Sequence, residues 1–137
     1  MIFSDTELEY LTSQLLGRLA TVDAGGGVQN NPVGFRVNAD GTIDIRGHDL
    51  AASRKYRNVR DTGRVALVVD DLVSVDPWRV RGIEIRGKAE ALNDVEPSKG
   101  HVSAEVIRIH PQRILVWGGI NPGERGLRGR DVPGGLE

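Results

Sequence analysis

Cysteine is absent from the 137 residues, which excludes disulfides, thiolate nucleophiles and cysteine-ligated metal and fits a reducing interior. Excess charge of either sign is missing as well, because 18 basic residues stand against 19 acidic ones. Nothing in that balance points to nucleic acid or to a membrane surface as partner. No apolar run approaches the roughly 20 residues of a membrane-spanning helix. The first ten residues, MIFSDTELEY, are acidic where a signal peptide would be basic and then apolar. The expectation is a soluble, cytoplasmic protein. Aromatic residues are also scarce, with two each of Phe, Tyr and Trp. A chain of this length builds one domain but does not easily enclose a large flat ligand by itself.

Motifs of side-chain catalysis are missing too. There is no GxGxxG and no Walker loop, and Ser53 and Ser74 lack a GxSxG setting. His48, His101 and His110 fall in different elements without metal-ligand spacing, so they read as surface or loop histidines. No metal site and no catalytic side chain is assigned. Such a chain suits chemistry carried by a cofactor, for which the polypeptide supplies orientation and shielding.

What is present is a β-rich pattern. Ser4 and Glu7 form a capping box, with Phe3 placed to staple onto Leu8, and Leu8, Leu11 and Leu15 continue a helix that ends before Gly17. Strands are expected at 17–22, 28–37, 42–47, 64–70, 80–92, 102–110 and 113–117, with a second helix over about 50–59. Asn38–Gly41 reads as a hairpin turn, and 93–101 as a polar loop. Pro32 lacks an N–H, which assigns its strand to an edge, a bulge or a site facing something other than a strand. Glu84, Arg86 and Glu90 share a strand face as a solvated charge ladder. The fold class is mainly β: about seven mostly antiparallel strands and two short helices, a barrel rather than an open sheet. Residues 1–117 form the single domain. Residues 118–137 are a Gly/Arg-rich tail, expected to be flexible and to carry little regular structure.

The richest stretch is His48–Asp71. There Ser53-Arg54-Lys55 opens the second helix and Arg57 follows, so three cations gather where free backbone N–H groups also favour an anion. Such a cluster is either a solvated basic face or a phosphate grip. Asn30-Asn31 is likewise open between a strand-end pair of amides and hydrogen-bonding partners for a polar ring.

The order of these segments resembles the split β-barrel flavin- and deazaflavin-binding family that includes pyridoxamine 5′-phosphate oxidase, and in particular its smaller F420-dependent actinobacterial members. The segments are LGRLATV (16–22), Asn30-Asn31-Pro32-Val33, Ser53-Arg54-Lys55 with Arg57-Asn58, and the run 81–90. The likeness covers about residues 3–117. It implies a homodimer with a flavin-type cofactor in a groove at the subunit interface. It implies that Ser53, Arg54 and Lys55 grip the cofactor phosphate. Asn30, Asn31, Pro32 and Val33 would run beside the ring, and Ile45, Arg46 and Gly47 would flank the groove. Trp78, in a loop, is the candidate contact from the partner subunit.

The function implied is a coenzyme F420-dependent oxidoreductase passing a hydride between the deazaflavin and a small conjugated substrate. The alternatives are an FMN-dependent pyridoxamine phosphate oxidase-like enzyme, a non-catalytic flavin or F420 carrier, and a small anion-binding barrel without redox chemistry. Cofactor binding separates the last from the others, and turnover separates enzyme from carrier.

Overall fold

Helix α1 (Asp5–Ser13) begins where the capping box places it: Ser4 Oγ accepts from the Glu7 N–H at 3.2 Å, and Glu7 Oε1 accepts from the Ser4 N–H at 2.9 Å. This is a computed structural model, and it describes residues 1–93 and 103–134. Most of the expected 93–101 loop, His101 included, lies outside the described residues, as does Val102. Phe3 is buried and Leu8 packs on the core beside it, as the staple requires. Leu15 departs from expectation. The helix stops at Ser13, and Leu15 is 85 % exposed in the link to the first strand.

The strands that follow are β1 (Gly17–Val22), β2 (Val28–Val33), β3 (Arg36–Val37) and β4 (Ile43–Ile45). A 3₁₀ turn (Leu50–Ala52) leads into α2 (Arg54–Thr62). Four longer or later strands complete the chain: β5 (Arg64–Ser74), β6 (Arg79–Leu92), β7 (Val106–Trp117) and β8 (Arg128–Asp131). They form one antiparallel sheet in the order β2-β1-β5-β6-β7-β4-β3, with β8 added along the C-terminal half of β7. The end strands β2 and β3 are linked only through Gly34–Phe35, so the sheet curls round into a split barrel. Pro32 sits in the edge strand β2, where its missing N–H costs no ladder bond on the open side.

The strand count changes in three places. The expected 28–37 strand divides at Gly34, the two expected last strands fuse into β7, and β8 is new. Fusion happens because β6 and β7 slip register at Arg86/Gly87, which takes Pro111 into the sheet at a bulge. Gly87 makes that possible, since a Cβ there would collide with the His110 carbonyl.

Alternation sorts the side chains. Leu19, Leu67, Val69, Ile83, Ile85, Ile107, Ile109 and Ile114 point inward and are fully buried. Outward residues carry the charge ladder: Arg86 donates to both oxygens of Glu84 at 2.9 and 3.2 Å. Among the described residues no helix is long and apolar enough to cross a membrane.

The tail corrects the expectation of little regular structure after Trp117. Arg130 of β8 donates to Glu7 Oε1 at 2.6 Å and to Oε2 at 2.9 Å. Asn121 adds a third bond to Glu7 at 2.6 Å and accepts from Thr6 and Ser4. The two ends of the chain are thereby joined around a carboxylate with no exposed surface.

Candidate functional site

The basic helix is held from both ends. Ser53 is the N-cap of α2: its Oγ accepts from the Tyr56 N–H at 3.3 Å and donates to the Leu50 carbonyl at 2.6 Å. Its one hydroxyl proton is therefore engaged in the fold, and the cap fixes where the helix carrying Arg54 and Lys55 begins. Gly63 closes the helix in the left-handed conformation, φ 68°, with its N–H on the Val59 carbonyl.

Three hydrogen bonds orient α2 on the sheet. Tyr56 donates to the Leu92 carbonyl at 3.0 Å, Asn58 Nδ2 to Thr21 Oγ1 at 3.0 Å, and Thr62 Oγ1 to the Val22 carbonyl at 2.9 Å. Asn58 and Thr62 thus define the face turned toward the β1–β2 hairpin, and Lys55 lies one turn earlier on that face. Lys55 is half-buried, while Arg54 and Arg57 are exposed. None of these three cations has an ion-pair partner among the described residues.

Strand β2 supplies the amides, but on two faces. The register pairs Thr21 with Gln29, Leu19 with Asn31 and Gly17 with Val33. Leu19 and Thr21 are buried, so Gln29, Asn31 and Val33 share the inner face. Asn30 and Pro32 pair with Ala20 and Arg18 and lie exposed on the outer face. Gln29 went unassigned in the sequence, and its Oε1 is buried with no hydrogen-bond partner. A buried acceptor left unpaired costs about 1–3 kcal/mol. The alternation through Thr21 is the signal that would have found it. Asn58, next to Arg57, ties the helix to this strand pair.

β4 ends at Ile45, short of the expected 47, and the residues around its end behave differently from one another. Ile45 is wholly buried, so its side chain belongs to the core. Arg46 and Gly47 are half-buried, and the Gly47 carbonyl accepts from the Ser103 N–H at 2.9 Å and from its hydroxyl at 3.0 Å. Beneath them the Asp44 carboxyl, which burial alone would raise, is held below its ordinary pKa by two bonds from Arg108 at 2.8 and 2.9 Å. Trp78 stands apart. It is 69 % exposed in the β5–β6 turn. Strand β5 runs from the end of α2 to that turn, about 33 Å at roughly 3.3 Å per residue, so one protomer does not bring Trp78 to the basic helix. His48 is exposed, and His110 Nε2 lies 3.1 Å from Glu90 on the outer face.

The polar groups on the inner side of β2 and at the start of α2 suit one kind of ligand. Arg54 and Lys55 lack an anion, Gln29 Oε1 lacks a donor, and Asn31, on the same strand face as Gln29, offers both functions. A phosphate-bearing ring with an N–H at its polar edge fits that donor set.

Comparison with known proteins gives the family. The family model described as pyridoxamine 5′-phosphate oxidase matches residues 3–118. A 5a,11a-dehydrotetracycline/5a,11a-dehydrooxytetracycline reductase of Streptomyces rimosus is 45 % identical over 134 residues, covering 96 % of this chain and 94 % of that protein. Among solved structures, HupZ of Group A Streptococcus has the same fold at a TM-score of 0.69, with 20 % identity over 85 % of this chain and 94 % of that one. A conserved hypothetical protein of Mycobacterium tuberculosis matches at a TM-score of 0.68, with 23 % identity over 86 % of each chain.

Proposed function

The chain belongs to the pyridoxamine 5′-phosphate oxidase family of oxidoreductases, and we propose that it uses coenzyme F420 to reduce a conjugated double bond in a fused-ring substrate. The observation that carries the reading is the set of unpaired cations on α2, a helix tied through Asn58 to Thr21, together with the unpaired Oε1 of Gln29, the ladder partner of Thr21. The reductase relative supports the direction of reaction and the substrate class, since a 5a,11a-dehydro compound names a carbon–carbon double bond in a polycyclic framework.

In this reading Arg54 and Lys55 bind the cofactor phosphate, Arg54 as a fork and Lys55 as a half-buried point charge. Ser53 fixes the start of the helix that carries them. Asn31 and Gln29 hydrogen-bond the polar edge of the ring, and Val33, with Gly47 opposite, keeps water from its side. When bound, the cofactor supplies the two-electron hydride chemistry. The chain contributes orientation, which needs reacting atoms about 3–3.5 Å apart. Asn30 and Pro32 then act from the outer face, by shaping β2.

A homodimer completes the groove in the same reading. Leu72, Val73, Val75 and Trp78 are exposed around the β5–β6 turn, and one apolar cluster of this kind suits a partner subunit. Trp78 would serve the partner's groove and not its own. Residues 1–117 make up the barrel domain, strapped by the segment that follows.

Titration with F420 and FMN side by side tests the cofactor. Tighter F420 binding, with oxidation of reduced F420 on adding a dehydrotetracycline, supports the reading. Tighter FMN binding favours the FMN-dependent alternative, and binding without turnover favours a carrier.

A further inference from the structure

On the opposite face of the sheet from Asn31 and Lys55, strands β1, β5 and β6 frame an open groove of about 450 Å³. Its apolar side chains are small, Ala20, Val22, Val28 and Ala66, and its rim carries Arg64, Arg86 and Lys88. Arg86 is neutralised by Glu84. Arg64 and Lys88 are not: neither makes a side-chain hydrogen bond or ion pair among the described residues. The next carboxylate along this face of β6, Glu90, is engaged by His110 at 3.1 Å. Yet Arg64 and Lys88 are direct partners across the β5–β6 ladder.

Two like charges directly opposite on one face of a sheet repel and destabilise it. Surface strands usually interleave signs, as Arg18 with Asp70 and Arg86 with Glu84 do on this same face. At the Arg64/Lys88 position the chain keeps a repulsion that an anion would relieve. The apolar floor beside it gives room for that anion's body: two alanines and two valines line the groove, with no larger apolar side chain to fill it. The bulge at Gly87 lies at the same place, where strand irregularities often re-aim side chains toward a site.

We propose that this groove binds a flat organic anion, its apolar body on Ala20, Val22, Val28 and Ala66 and its carboxylate or phosphate between Arg64 and Lys88. The site is independent of the cofactor reading, because it uses the outer face of β1 and none of the α2 cations.

The probe is 2-naphthoate, with neutral 2-naphthalenemethanol and inorganic phosphate as comparisons, titrated into the full chain and followed by backbone amide NMR. Naphthoate should saturate shifts at Ala20, Ala66 and Lys88, and the neutral alcohol should bind more weakly by about tenfold or more. Phosphate alone should shift Arg64 and Lys88 without Ala20. Arg64→Gln and Lys88→Gln should each weaken naphthoate about tenfold, while Arg125→Gln leaves it unchanged. In anion-free buffer Lys88→Gln should melt no lower than the parent chain, since it removes a repulsion. Naphthoate affinity unchanged from the parent chain in both variants overturns the proposal. So do shifts confined to Asn31 and Lys55, or a Lys88→Gln variant that changes oligomeric state without changing affinity, which would give this face to a second copy of the chain.

Discussion

Replacing Arg130 with Met keeps most of the side-chain stem and removes the guanidinium from the Glu7 carboxylate. In the parent chain Glu7 has no exposed side-chain surface and accepts four bonds: two from Arg130, one from Asn121 and one from the Ser4 N–H. The variant leaves a buried negative charge facing two neutral donors. Breaking a fully buried pair costs about 3–5 kcal/mol. Arg130 is itself 42 % exposed, so solvent already screens its end and the figure must be discounted. We expect a loss of about 2–3 kcal/mol, or roughly 8–12 °C in melting temperature for a chain of this size. Urea unfolding followed by tryptophan fluorescence measures it. The double variant Glu7→Gln/Arg130→Met should recover part of the loss, because a removed charge is cheaper than an unpaired one. A single variant within about 0.5 kcal/mol of the parent would refute the reasoning, since that is the range of an ordinary surface change. The pH dependence has a definite sign. Burial works to raise the Glu7 pKa, but the bonds from Arg130, Asn121 and Ser4 hold it below its ordinary 4.5. The folded state therefore binds this proton less readily than the unfolded one. Its contribution is present above pH 4.5 and is lost as pH falls through the depressed folded value. The parent chain should lose more stability than Arg130→Met on acidification below that point.

Four further outcomes follow from the same geometry. Arg54→Ala/Lys55→Ala should weaken cofactor binding about a hundredfold or more, from two charge-assisted bonds of about 1.5–3 kcal/mol each, with an unchanged melting temperature; an unchanged dissociation constant removes α2 from the site. Asn31→Leu should weaken cofactor affinity by about 1–3 kcal/mol more than it lowers stability, checked by titration and melting of the same variant. Gly87→Ala should melt well below the parent or fail to fold, because its Cβ meets the His110 carbonyl in the bulge; a normal melt would mean that β7 relaxes freely there. Light scattering at micromolar concentration with cofactor present should give a dimer, and a monomer would contradict a shared groove.

What the sequence disclosed was whatever depends on neighbours in the chain. The Ser4/Glu7 box, the Asn38–Gly41 turn and the alternation of β6 are all decided within a few residues, and each is readable. What it concealed depends on distant partners. Leu15 continues the helical spacing, but the chain must leave the helix at Ser13 for Gly17 to pair with Val33, so Leu15 is left outside. Pro111 reads as a break between two strands because the glycine that admits it lies across the ladder. The tail reads as loose because Arg130 finds its carboxylate 123 residues away. Glu7 serves both levels, as a local cap and as the anchor for β8, and only the first role leaves a local trace.

The candidate site follows the same division, and its geometry changes which amide matters. Consecutive strand residues point to opposite faces, so Asn30 and Asn31 cannot both meet one flat ring. The inner face carries Gln29, Asn31 and Val33 and adjoins the helix face of Lys55 and Asn58; the outer face carries Asn30 and Pro32. If the ring lies on the inner side, Gln29 replaces Asn30 as the second hydrogen-bonding amide. Gln29→Leu should then weaken cofactor binding while stabilising the cofactor-free chain, because it deletes an acceptor that is buried without a partner. Asn30→Leu, on an exposed position, should leave affinity where it was. Measuring both variants decides the face: a loss with Asn30→Leu and none with Gln29→Leu would move the ring to the outer side of β2 and detach it from the basic helix.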